Sequence, residues 1–243
     1  MNRNPNSQYN VAAPDSMAIR LANFQRERMY RRFIDATKIE AHDTLCDVGV
    51  TSDQTYASSN YVEAWYPHKG KITAAGIDDA TFLERLYPGL SFVLADGLDL
   101  PFQNGSFDVV HSSAVLEHVG GFANQVRLIA ECARVARKAA FLTTPNRWFP
   151  VEFHTSLPVV HWLPKATFRT VMRRTGRAFF ADEANLNLMS PTELRRAAKA
   201  ALDGGAFRFE VDTVALAGWP SNLLLIIRRQ GNEAFRIQRP APR

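Results

Sequence analysis

The sequence predicts an α/β fold, a parallel sheet with helices on both faces. Three observations carry this. Short β-type runs alternate with helical ones from about residue 44 to residue 144. The composition, 46% hydrophobic and 22% charged over 243 residues, is that of a globular chain long enough for a sizeable core. No Pro/Gly/Ser-rich linker divides the middle, so one decorated domain fits better than two.

Residues 1–15 are rich in Asn, Pro and Ser and read as a flexible N-terminus. From Ser16 a helical period sets in, with Ile19, Leu21, Phe24, Met29, Phe33 and Ile34 on one apolar side. Strand-like stretches follow at Thr44–Val48, Ile72–Ile77, Ser91–Ala95, Phe107–His111 and Ala139–Thr143. Between them lie helical candidates at Ser58–Trp65, Ala80–Leu86 and Gly121–Ala136. The rhythm breaks after Thr144, where "PNRWFPVEFHTSLPVVHWLP" opens a lid-like insertion over residues 145–190 that includes a basic helix, Lys165–Thr175. Another helix is expected from Ser190, with Pro191 in its first turn and Glu193 completing a capping box. The end reads as a β-hairpin whose turn is Gly-Trp-Pro-Ser, followed by a basic tail, 231–243. The single domain is thus bounded at 16–230.

The stretch "LCDVGVTSDQTY" occupies the turn after the first strand, where ligands bind in open α/β sheets. Gly49 suits a positive φ, and Ser52 or Asp53 can cap a following helix. A dinucleotide loop uses several glycines to bring backbone to the pyrophosphate; here positions 51 and 53 carry side chains, and Asp53 would set a negative charge beside a phosphate. That argues against NAD and leaves two readings, a plain strand-to-helix connection or a site for a phosphate-free cationic ligand. S-adenosylmethionine (SAM), with a sulfonium and an ammonium, has those properties. Downstream, Asp78 closes the second strand where a carboxylate can accept from both ribose hydroxyls. Asp96 closes the third, within reach of an adenine amino group, and Leu98 or Phe102 could line the adenine face.

The run "ADGLDLPFQNGSFDVVHSSAVLEHV", with "TLCDVGV" and "GIDD" before it, resembles the class I SAM-dependent methyltransferases, in particular their ubiquinone and menaquinone branch. The resemblance covers about residues 40–146. It implies a Rossmann-like seven-stranded sheet of order 3-2-1-4-5-7-6 with the last strand antiparallel, and SAM as cofactor. By motif position it implies Asp47 and Gly49 at the methionine loop, Asp78 at the ribose, Asp96 and Gly97 at the adenine, and Ser112 beside the methionine portion. The sequence departs from the family at Val50, Thr51 and Asp53, where more glycine is usual.

Methyl transfer from a sulfonium is an in-line displacement, so alignment matters most and a base is needed only where the acceptor loses a proton. The acceptor side is expected in the aromatic segment after the fifth strand. His154 is the preferred base, with Glu152 or Asn146 orienting it or the substrate; His161 is an alternative, and His118 reads as a brace for the SAM loop. No metal is expected, since His154 and His161 lack a helical period to join them with Glu152. The predicted activity is methylation of a small-molecule acceptor, most readily at the oxygen of an aromatic or lipid-like compound. N- or C-methylation, or a non-catalytic SAM-binding partner or sensor, are the alternatives.

The net charge of +5 hints at acidic partners. However, no basic stripe interleaved with aromatics appears, so no nucleic-acid partner is expected. The N-terminal helix, basic on one side, is compatible with closing over SAM or with peripheral membrane contact. Cys46 and Cys132 lack CxxC or zinc spacing and read as buried thiols of a reducing compartment. With no apolar leader-like run near Met1, and "NLLLIIRR" too short to span a bilayer, a cytoplasmic location is expected.

Overall fold

The computed structural model describes residues 17–230 apart from 56–57, 153 and 156. The expected flexible N-terminus, 1–15, and basic tail, 231–243, lie outside the described residues. The alternating pattern becomes β1 (Leu45–Val48), α2 (Tyr61–Trp65), β2 (Ile72–Gly76), α3 (Phe82–Leu86), β3 (Ser91–Leu94), β4 (Phe107–Ser113), α4 (Phe122–Val135) and β5 (Ala136–Pro145), preceded by α1 (Met17–Thr37). After the lid come α6 (Pro191–Ala201), β8 (Phe207–Leu216) and β9 (Trp219–Arg229). The seven-stranded sheet runs β3-β2-β1-β4-β5-β9-β8. The first five strands are parallel and β9 is antiparallel to both its neighbours. This is the expected Rossmann-like order.

Apolar layers cover both faces. Leu128, Ile129 and Cys132 of α4 and Leu194 and Ala198 of α6 pack on one side. Met29 and Phe33 of α1, Tyr61 and Val62 of α2 and Leu83 of α3 pack on the other. This explains the unbroken apolar run in β9. Leu223, Leu225 and Ile227 face the first layer while Leu224 and Ile226 face the second, and a strand buried on both sides has no polar alternation.

The differences from the sequence reading have local causes. Strand β5 starts at Ala136, directly after α4, so the helix ends one residue before expected. The terminal hairpin turns at Ala217 and Gly218, both at positive φ (49° and 81°), while Trp219, Pro220 and Ser221 already belong to β9. Pro220 is tolerated there because the register shifts between Val214 and Ala215, a bulge that removes the demand for its missing N–H. The capping box forms as expected: Ser190 Oγ accepts from Glu193 N, and the Glu193 carboxylate accepts from Ser190 N.

Helix α1 lies against the sheet, not above it. Gln25 Nε2 donates to Ala215 O and Ser221 Oγ, tying α1 to the terminal hairpin. Several of its arginines are engaged: Arg28 with Ala215 O, Arg32 with Asp212 and Arg31 with Glu27. Among the described residues no helix is long and apolar enough to cross a membrane. Both cysteines are free and buried, and burial raises their thiol pKa values.

Candidate active site

The turn after β1 is built without the expected glycines because side chains do their work. Gly49 has φ 95°, and a Cβ there would lie 2.2 Å from Val115 Cγ2, so the position admits only glycine. The Gly49 and Val50 amides both donate to Ala75 O, at 2.7 and 3.2 Å. A pyrophosphate cradle needs such amides turned outward, and these are already paired inside. Asn60 then clamps Thr51 from both sides: its Oδ1 accepts from Thr51 N at 2.9 Å and its Nδ2 donates to Thr51 O at 3.0 Å. Neither Ser52 nor Asp53 caps α2, as the sequence suggested. Asp53 Oδ1 instead closes an Asx turn on Thr55 N and Oγ1, because the helix begins only at Tyr61.

Neighbouring strand ends complete this side. Strand β2 ends in Gly76, where a Cβ would come 2.7 Å from Val50 O, so that glycine lets the turn settle on the sheet. Ile77, 70% exposed, and then the part-exposed Asp78 leave the strand together, an apolar platform beside a carboxylate. Asp96 follows β3, its Oδ1 holding Leu98 N at 2.8 Å. A Cβ on Gly97 would come 2.9 Å from Leu128. Leu98 and Phe102 pack against the core, Phe102 edge-on to Phe107 at 4.9 Å. Ser112 also moves: β4 runs on to Ser113, so Ser112 is buried within the strand and does not follow it. Ser113, bonded to Thr143 Oγ1, is the last strand residue.

Beneath the turn lies a buried polar cluster. Asp47 Oδ1 accepts from His111 Nδ1 at 2.7 Å, and His111 Nε2 accepts from the Tyr61 hydroxyl at 2.9 Å. Burial lowers the His111 pKa to about 4, so the ring is neutral. Glu63 is fully buried against Asp47, and a hydrogen bond between the two carboxyls requires a proton on one of them. Burial, then the charge of Asp47, pushes its pKa well up, and burial raises Asp47 to about 7. One proton stays on this carboxyl pair at neutral pH. Sequence reading missed Asn60 and Glu63, since nothing local distinguishes them from helix-start polar residues.

The second site lies off the carboxyl ends of β4 and β5. Glu117, fully buried in the turn after β4, accepts from Thr144 Oγ1 at 2.8 Å. The lid adds the two-stranded β6 (Val151–Glu152) and β7 (Leu157–Pro158) and helix α5 (Lys165–Arg174). It has its own small core of Phe168, Met172, Phe180 and Leu186. Glu152 accepts from His154 N, His154 Nδ1 and Thr155 N, at 3.0, 2.6 and 2.6 Å. Against the cost of burial, His154 and these donors hold its pKa near 2, and Glu152 in turn raises that of His154. The His154 ring stands edge-on to His118 at 4.9 Å.

The remaining candidates are placed elsewhere. Asn146 braces the lid: its Nδ2 donates to Pro220 O and its Oδ1 accepts from Trp148 N, so both ends of its amide are engaged away from His154. His161 meets Phe149 O through Nε2 at 2.7 Å, and burial lowers its pKa. His118 Nδ1 donates to Asn185 O at 2.7 Å, a tie to the lid.

Residues 58–144 match a family described as a methyltransferase domain; the match begins after the glycine-poor turn. No curated protein matches the chain by sequence. Solved structures with the same fold include the PH0226 protein of Pyrococcus horikoshii OT3, at 12% identity over 92% of this chain and 99% of that one, TM-score 0.59. The geranyl diphosphate C-methyltransferase of Streptomyces coelicolor A3(2), solved with Mg2+, geranyl diphosphate and S-adenosyl-L-homocysteine, is 12% identical over 90% of this chain and 88% of that one, TM-score 0.54. The N-methyltransferase NodS of Bradyrhizobium japonicum WM9 is 12% identical over 87% and 98%, TM-score 0.53. The strand order and the family match over residues 58–144 support a class I SAM-dependent methyltransferase, an enzyme that takes its methyl group from SAM.

Proposed function

We propose that this enzyme methylates a hydroxyl of a small aromatic or lipid-like acceptor, with His154 as the acceptor-side base and Glu152 orienting it. The observation that supports this most is the buried His154–Glu152 pair at 2.6 Å, off the carboxyl ends of β4 and β5. A base held by a carboxylate keeps one nitrogen fixed and presents the other, as proton removal from a hydroxyl requires. On the cofactor side, Asp47 and Gly49 shape the methionine loop, Asp78 holds the ribose, Asp96 and Gly97 border the adenine, and Ser112 lies within β4 beneath the methionine portion. SAM supplies the methyl group when bound; the chain aligns the acceptor with it and excludes water. Residues 16–230 form one domain with the 145–190 lid over the acceptor, acting in the cytoplasm. Exposed Trp148, Val151 and Val159 on that lid favour an apolar acceptor.

The named N- and C-methyltransferases of this fold make nitrogen and carbon the competing acceptor atoms. Formation of S-adenosylhomocysteine across matched phenol, aliphatic alcohol, amine and prenyl-type compounds decides between them. Turnover confined to hydroxyl compounds is expected, and turnover confined to amines or carbon acceptors refutes the reading.

A further inference from the structure

Three side chains converge off the ends of β4 and β5: Glu117, His118 and His154. One ligand-capable atom of each lies within 4.8 Å of the others. Each is anchored by its far atom. Thr144 Oγ1 donates to Glu117 Oε2 at 2.8 Å, His118 Nδ1 donates to Asn185 O at 2.7 Å, and His154 Nδ1 donates to Glu152 Oε1 at 2.6 Å. A carbonyl and a carboxylate as acceptors fix the N–H on Nδ1 in both rings, so Nε2 is the inward lone-pair atom. His118 Nε2 lies 3.9 Å from Glu117 Oε1. That oxygen is buried and has no hydrogen-bond partner, a costly state for a carboxylate that a cation would relieve. Imidazoles whose second nitrogen donates to a carboxylate or a backbone carbonyl are the usual arrangement around a protein-bound metal.

We propose that Glu117, His118 and His154 bind one divalent first-row transition-metal ion, of the Zn2+ type, with an open coordination position toward the acceptor. Two imidazoles and one carboxylate suit Zn2+ and its neighbours, whereas Mg2+ and Ca2+ favour all-oxygen sets. Ligands about 2.1 Å from one ion lie roughly 3–3.5 Å apart, so the three close in by about 1 Å on binding. The occupant of the open position, an acceptor hydroxyl oxygen, rests on the O-methylation reading; the ion's binding does not. His154 serves as the base in the ion-free enzyme; with the ion in place its Nε2 is a ligand that takes no proton, and the pair with Glu152 becomes its support.

The test is calorimetric titration of the chelator-treated full chain with Zn2+, and its Co2+ absorption spectrum, in the absence of SAM and acceptor. One equivalent is expected, with d–d bands of mixed nitrogen and oxygen ligation. The His118→Gln/His154→Gln double variant should lose that equivalent, and Glu152→Gln should weaken it about 10–100-fold. His42→Ala, in the separate Glu40–His42–Asp43 cluster, should leave it unchanged. A wild-type chain that binds no equivalent, or a folded double variant that binds as wild type does, overturns the proposal. A chain that binds the ion but methylates only amines or carbon upholds the site and refutes the hydroxyl reading.

Discussion

Two buried carboxylate–imidazole pairs lie on either side of the β4 exit, and they behave in opposite ways. Beneath the turn after β1, Asp47 meets His111, and burial lifts the Asp47 pKa to about 7 while His111 falls to about 4. In the lid, Glu152 meets His154, and the carboxyl falls to about 2 while His154 rises. Burial opposes charge equally in both places. The difference is the neighbouring charge: Glu152 faces His154, whose charge and ring N–H favour the anion, whereas Asp47 faces the neutral His111 and the carboxyl of Glu63. The charge brought beside it, and not residue type, decides whether a buried carboxyl is an anion or an acid.

The largest effect is expected from breaking the lid pair. His154→Ala should lower turnover about 10²–10⁴-fold with SAM affinity nearly unchanged, the usual range for a positioned base. His161→Ala, whose ring already serves Phe149 O, should do much less. Steady-state rates beside SAM calorimetry check both, and a more sensitive His161 would reverse the assignment. Next, Asp78→Ala should weaken SAM by several-fold to about 10³-fold, since two charge-assisted bonds of about 1.5–3 kcal/mol each are partly replaced by water. Unchanged affinity by calorimetry would remove Asp78 from the ribose.

Gly49→Val should destabilise the fold by about 2–4 kcal/mol, because φ 95° and a 2.2 Å approach to Val115 add strain to overpacking. Denaturant melts read it, and a stable variant would show that the turn can rearrange. The smallest expected effect concerns pH. A carboxyl whose folded pKa is raised stabilises the fold below its unfolded value and loses that contribution as pH rises to the folded value. Asp47 therefore loses stability between about 4 and 7. His111, depressed from 6.5 to about 4, works the other way, since stability is lost as pH falls through that window. Above pH 6.5 the carboxyl pair still titrates, together with Glu117, which burial raises to about 7, and His154, which Glu152 raises above its usual value. Melting temperature should fall from pH 6.5 to 8, at most about 1.4 kcal/mol per pH unit for each proton, and Glu63→Gln should flatten the decline. A wild-type curve already flat there would refute the shared proton.

Much of the sheet and of its first turn was readable because it is written locally. The rhythm of the first five strands follows from residue periodicity, Gly49 from the turn, and the Ser190–Glu193 cap from a four-residue pattern. Asp78 and Asp96 follow from their places at strand ends. The acceptor side was readable only as a list of chemically able residues, and Asn146, among them, turned out to brace the lid.

The sequence by itself determined the layered α/β order, because alternating apolar runs can bury both faces of a sheet in few ways. Only the tertiary structure decided what its polar groups do. Asn60 clamps Thr51, Glu63 shares a buried pocket with Asp47, and His154 meets His118 and Glu117 from a different segment. Periodicity records which side of an element is buried. The charge state of a buried group depends on donors and carboxylates brought to it from distant elements, and local spacing carries no trace of them.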